Sequence, residues 1–175
     1  MTTPAPILVA TIGEHFWLRV EGKGSFQNSV QLKKCLQGMI DKGVKTFVVD
    51  LDRCPIMDST FMGTLTGAAL NLKERGDGEV VILNANARNQ QLLSSLGLDH
   101  ILTVDNVGAR FKAERAQVSR QFGTCEEPKA PNKTEQAEHV LEAHEALTQA
   151  NAENASRFRD VIEFLEKELG SKDGS

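Results

Sequence analysis

Met57-Asp58-Ser59-Thr60 stands where a β-branched run, Val44 to Leu51, gives way to a helical pattern. Asp, Ser and Thr cap helices well, because a side-chain oxygen accepts from backbone N–H groups left unpaired in the first turn. The same hydroxyls can accept a phosphoryl group. A helix start tolerates that addition, since its free N–H groups and its dipole both favour negative charge. A phosphate on Ser59 would add about −1.5 to −2 charge. It would then change what docks there while leaving the fold in place. Thr60 is the second candidate acceptor, and Asp58 makes the local field more negative.

Other chemistries find little support. Asp50, Asp52 and Asp58 could collect Mg²⁺ near strand ends, but loop solvation accounts for them. Gly22-Lys23-Gly24 lacks the Gly-Lys-Ser/Thr sequel of a phosphate-binding loop and the third glycine of a dinucleotide fingerprint. Cys35, Cys54 and Cys125 form neither a disulfide framework nor a CxxC motif, so reduced thiols are expected. His15, His100, His139 and His144 do not make metal spacing; the last two, five apart, turn away from each other on a helix. No histidine lies near Ser59 in sequence, so no serine–histidine–acid set can be argued. The expectation is a protein that is not an enzyme and has no metal and no cofactor.

In its 175 residues no apolar run approaches the roughly 20 needed to span a bilayer. The opening MTTPAPILVA has no basic stretch followed by a long apolar one, so a cytoplasmic location without a membrane partner is expected. The net charge of −4 is uneven: residues 126–175 hold twelve acids against six bases, and residues 1–125 twelve against fourteen. That is no basic footprint for nucleic acid. The asymmetry suggests that the acidic tail folds back on the more basic Phe111 to Arg120 segment.

These residues need elements to hold them. Ile7 to Ile12 and His15 to Gly22, separated by Gly13-Glu14, read as a tight hairpin. A helix follows over Asn28 to Asp41, with Val30, Leu36, Met39 and Ile40 inward. The nearly continuous apolar run Val44 to Leu51 reads as a central strand buried on both faces. A second helix runs from about Ser59 to Arg75 on Phe61, Leu65, Ala68, Ala69 and Leu72. Glu79 to Asn84 is another strand, Asn86 caps a third helix ending at Leu96-Gly97, and His100 to Val104 is a last strand. Phe111 to Phe122 could be a basic helix. The expected division is a domain over 1–122, a linker over 123–134, and a helical hairpin over 135–170. In the hairpin Ala137, Val140, Leu141, His144 and Leu147 form one stripe, and Phe158, Val161, Ile162 and Leu165 the other. Alone it is too small to bury both stripes, so it needs the main domain, a second copy or a partner.

A strand, a short loop, then Met57-Asp58-Ser59-Thr60-x-x-Gly63 opening a helix resembles the STAS domain of bacterial anti-sigma factor antagonists and sulfate-transporter tails. The resemblance covers most of residues 7 to 105 in the order of its elements. It implies an α/β fold, a STAS-like mixed four- to five-stranded sheet with helices packed on it, here with a C-terminal helical extension. In the antagonist branch it implies phosphorylation of the serine after the motif's aspartate, here Ser59, with Asp58, Thr60, Phe61 and Gly63 as its neighbours. The implied partners are a serine protein kinase that doubles as an anti-sigma factor and a serine phosphatase. Phe61 stands where that branch commonly has glycine, and could be a core anchor or part of the surface a kinase meets. The alternative is an unphosphorylated scaffold or adaptor that binds a transporter ATPase or signalling complex through its helical extension. A homodimer through those helices belongs to the same range of expectations.

Overall fold

The computed structural model describes residues 4–105, 110–125 and 131–173. Gly13, at φ 58, takes the left-handed conformation that a tight turn requires. It folds Ile7–Ile12 (β1) antiparallel onto His15–Val20 (β2). Three crossovers then add strands in parallel. Phe26–Asp41 (α1) leads to Thr46–Asp50 (β3), Ser59–Arg75 (α2) to Glu79–Leu83 (β4), and Ala87–Ser95 (α3) to Thr103–Asp105 (β5).

The sheet is mixed, as expected, but among the described residues it has six strands in the order β5-β4-β3-β2-β1-β6. The extra strand, Gly123–Thr124 (β6), lies in the segment read as a linker and pairs antiparallel with β1. Two residues carry no alternating pattern. The open edge of β1 supplies the hydrogen-bonding groups that recruit them.

Strand alternation divides the core. Phe16, Leu18, Val20, Phe47, Val49 and Ile82 face α1 and α2. Ala10, Trp17, Val48 and Val81 face the other way, beneath Val118 of Lys112–Val118 (α4) and the rings of Phe111 and Phe122. Trp17 is fully buried, and its Nε1 donates to Glu114 Oε2 at 3.3 Å. Each large apolar side chain so buried contributes roughly 1.5–3 kcal/mol. β3 is covered on both faces, as its unbroken apolar run implied.

The C-terminal helices do not settle on the basic segment. Lys133–Ala150 (α5) lies along α2, and Arg159–Asp173 (α7) packs against α5 after the short Glu153–Arg157 (α6). Leu147 of α5 joins the core cluster of α1 and α2, whereas Val118 of α4 belongs to the cluster on the opposite face. Charge asymmetry therefore pointed to the wrong face. Exposed charges attract weakly in water, and a close steric fit to α2 decides the placement. Among the described residues no helix is long and apolar enough to cross a membrane.

Candidate functional site

β3 ends at Asp50, whose buried carboxylate accepts from Arg19 Nη2 at 3.0 Å, Asn84 Nδ2 at 2.9 Å and the Asp52 N–H at 3.0 Å. The loop beyond is held from α3 by two asparagines. Asn89 accepts from Met57 N–H at 3.2 Å and donates to Cys54 carbonyl at 2.9 Å, while Asn86 donates to Pro55 carbonyl at 3.0 Å. Gly24 completes the frame, donating to Ile56 carbonyl at 3.0 Å and accepting from Asp58 N–H at 2.8 Å. A Cβ on Gly24 would stand 2.9 Å from the Phe61 ring, so the close approach requires glycine. Phe61 is fully buried. It is a core anchor, not a surface residue.

Capping falls to Asp58 alone. One carboxylate oxygen accepts from Phe61 N–H and the other from Phe26 N–H, each at 2.9 Å, so a single side chain ties the starts of α2 and α1 together. Ser59 is the first residue of α2, half-buried, with a hydroxyl left over from the cap. Thr60 is buried at 5% exposure, which removes it from reach of an incoming enzyme.

The Ser59 hydroxyl meets a histidine that the sequence placed far away. Ser59 Oγ lies 3.0 Å from His144 Nε2 on α5. His144 Nδ1 lies 2.7 Å from Val140 carbonyl, an acceptor only, so the ring proton sits on Nδ1. Nε2 then accepts, and Ser59 donates. The imidazole is buried and meets Phe158 edge-on with ring centroids 5.1 Å apart. This orients a hydroxyl toward a base, but the base is held by a helix carbonyl and not by a carboxylate.

His139 makes the second polar contact of this seam. Its Nε2 lies 2.7 Å from Ser29 Oγ on α1 and 3.5 Å from Thr64 Oγ1 on α2. Those hydroxyls give their own protons to the carbonyls of Phe26, at 3.0 Å, and Thr60, at 2.8 Å. Nε2 of His139 therefore carries the proton, and its buried Nδ1 has no hydrogen-bond partner among the described residues. Burial first, and the nearby Lys33 ammonium second, push its pKa down to about 4, with Glu142 acting weakly the other way.

Small residues bring the helices this close. A Cβ on Gly63 would stand 2.2 Å from Ala143 carbonyl oxygen, and one on Gly97 would stand 2.2 Å from Asn151 Nδ2 at the end of α5. Asn154, fully buried, donates to the carbonyls of Leu96 at 2.9 Å and Leu147 at 2.8 Å, clipping the tail's turn to the end of α3. The seam is not filled throughout. A cleft of about 180 Å³ opens between α1, α2 and α5, lined by Leu36, Ile40, Thr64, Ala68 and His139 among others, with the exposed Lys33–Glu142 ion pair beside it.

The structure brings Ser59, Asp58 and Gly63, which the sequence singled out, together with His144, His139 and Ser29, which it did not connect to them. One signal was available: Ser59 to Leu72 contains no charged residue. A helix with one solvated face seldom lacks charge along its length, so this one had to be covered on both sides. Asp50, Asp52 and Asp58 do not converge, and among the described residues no group of three or more His, Cys, Asp or Glu could hold a metal ion. None of the three cysteines is in a disulfide, and Cys35 lies against Cys125, a contact that together with burial raises the Cys35 pKa.

A family model described as STAS domain matches residues 6–110. No curated protein sequence matches significantly. Among solved structures, the chain is similar to a putative anti-sigma factor antagonist from Thermotoga maritima (18% identity, TM-score 0.53, covering 65% of this chain and 93% of that one). It is also similar to the unphosphorylated anti-sigma factor antagonist SpoIIAA (17%, TM-score 0.51, 63% and 97%). An antagonist from Mycobacterium paratuberculosis (13%, TM-score 0.52, 69% and 100%) is a third likeness. At these identities the likeness establishes the shared fold. Helices α5 to α7 lie outside the residues that the family model matches.

Proposed function

Since this chain belongs to the STAS domain family, we propose that it is a non-catalytic, cytoplasmic partner-switching regulator whose switch is Ser59. The observation that carries the reading is the division of labour at the start of α2. Asp58 supplies the cap, so the Ser59 hydroxyl can be modified without removing a bond that α2 needs to start. Phosphate there would meet a helix N-terminus, where negative charge is tolerated. Phe26, 46% exposed and tied to Asp58 through its N–H, offers an apolar anchor beside the switch for a docking protein. The structural neighbours named as anti-sigma factor antagonists suggest the kind of partner: a serine kinase that also acts as an anti-sigma factor, with a serine phosphatase to reset the switch. The test is capture from the organism's own cells with tagged Ser59→Ala and Ser59→Asp chains, identifying bound proteins by mass spectrometry. Ser59→Ala should retain a kinase of this type and Ser59→Asp should release it. Equal recovery on both chains would remove Ser59 as the switch.

A second reading, an adaptor acting through its helical extension, rests on α7. Phe164 is 61% exposed and Val161 40% exposed on that helix, an apolar edge suited to a second copy or a protein partner. Sedimentation across a concentration series would show a dimer that Phe164→Glu abolishes. A monomer throughout would remove the homodimer from consideration.

A further inference from the structure

The surface that the switching reading assigns to a partner is already occupied. We infer that the face of α1 and α2 around Ser59 is a helix-receiving surface whose resident is the chain's own α5, so that a phosphate on Ser59 or a docking protein requires α5 to leave. The inference rests on the proposed function for its biological meaning, but its geometry stands alone.

Three features make the fit specific. First, Gly63 is an interior residue of α2 whose missing side chain is filled by Ala143 of α5; even one methyl group there would overlap backbone. Glycine weakens a helix interior, and here its absence of bulk lets α5 approach. Second, along one seam the Ser59 hydroxyl donates to His144 while the Ser29 and Thr64 oxygens face the Nε2 of His139, both histidines belonging to the same helix. Third, Asn151 sits over Gly97, and Asn154 and Arg157 donate to the carbonyls of Leu96 and Ser95, fixing where α5 ends.

The contact at Ser59 is incompatible with phosphate. The His144 Nε2 lone pair sits 3.0 Å from Ser59 Oγ, a gap that holds one proton and no phosphorus with three further oxygens. Esterification also removes the donated proton and, while His144 Nε2 carries no proton, sets acceptors against an acceptor. Release would leave the polar groups of the seam to water, and its cleft already leaves part of the boundary between α1, α2 and α5 unfilled.

Hydrogen exchange of the full chain tests this directly, using unmodified protein, protein with phosphoserine installed at position 59 during synthesis, and Gly63→Ala. In the last two, amides of residues 133–157 should exchange at least about tenfold faster, the scale of losing a buried hydrogen bond and its neighbours. Peptides from β2, β3 and β4 should stay protected. Retained protection of α5 in the phosphoserine protein overturns the inference, and so does retained protection in a folded Gly63→Ala chain. Should Gly63→Ala misfold, the phosphoserine protein alone decides. Failure here leaves the switching reading standing, and absence of phosphate at Ser59 in cells sinks that reading without touching the competition.

Discussion

The two histidines of α5 sit five residues apart on one helix, both buried, both facing hydroxyls of the domain, yet they are held in opposite tautomers. His144 carries its proton on Nδ1, given to the Val140 carbonyl, and accepts from Ser59. His139 carries its proton on Nε2, given to Ser29, and its Nδ1 has no partner among the described residues. The difference comes from the partners: the Val140 carbonyl takes the Nδ1 proton of His144 and leaves Nε2 to accept from Ser59, whereas the Ser29 proton is already committed to Phe26 carbonyl and leaves His139 Nε2 to donate. Identical side chains are thus set against different events: on the proposed reading the His144 end would answer to modification of Ser59, while burial, which lowers the His139 pKa, ties the other end to acidity.

The comparison fails if the two ends are not held by a common anchor, so the largest expected effect is at that anchor. Leu147, fully buried, belongs to α5 and to the domain core alike. Leu147→Ala should destabilise docking of the tail by about 2–5 kcal/mol, read as lost exchange protection over both histidines together. Protection lost at one end only would mean that the ends dock independently.

The next effect is the acid response of the His139 end. The folded pKa of His139, about 4, lies below its ordinary 6.5, so the released helix takes up a proton first. Docking is complete above pH 6.5 and weakens as pH falls toward about 4, by roughly 3 kcal/mol at most. The groups that face His139 are Ser29 and Lys33 from α1, Thr64 from α2 and Glu142 from α5 itself. His139→Gln keeps a donor toward Ser29 and should flatten the profile of tail protection between pH 4.5 and 6.5 (a window set by those values). An unchanged slope would move the acid response to another group.

At the other end the effect is smaller. His144→Leu keeps bulk against Phe158 and removes the acceptor, and should cost about 1 kcal/mol of docking. Smallest of all is salt. Lys33 and Glu142 pair in solvent, so raising ionic strength should change tail protection by less than about 0.5 kcal/mol. A large salt effect would restore the electrostatic account of the tail that the fold contradicts.

Much of the domain was legible because its signals are local. Gly13 marks the hairpin, the unbroken run to Leu51 marks a strand covered on both sides, and Asp58 before Ser59 marks a helix start. The seat of α5 was not. The stripe read from sequence held Ala137, Val140, Leu141, His144 and Leu147; His144 and Leu147 are buried, but the rest of the buried side is His139, Ala143 and Ala146, not Ala137, Val140 and Leu141. Hydropathy favours Val140 and Leu141. The side that docks is chosen by fit to Gly63 and by hydroxyls on two other helices, and no periodicity within α5 encodes those partners. β6 escaped notice for a similar reason, since only the exposed edge of β1 makes Gly123–Thr124 a strand.

The central claim concerns one oxygen atom, and mass spectrometry of the protein purified from its own cells addresses it most directly. Intact mass with fragment mapping should find a fraction of molecules bearing a single phosphate, located on Ser59, with Thr60 unmodified. A phosphate mapped to any other residue, or none under every growth condition, would contradict the account.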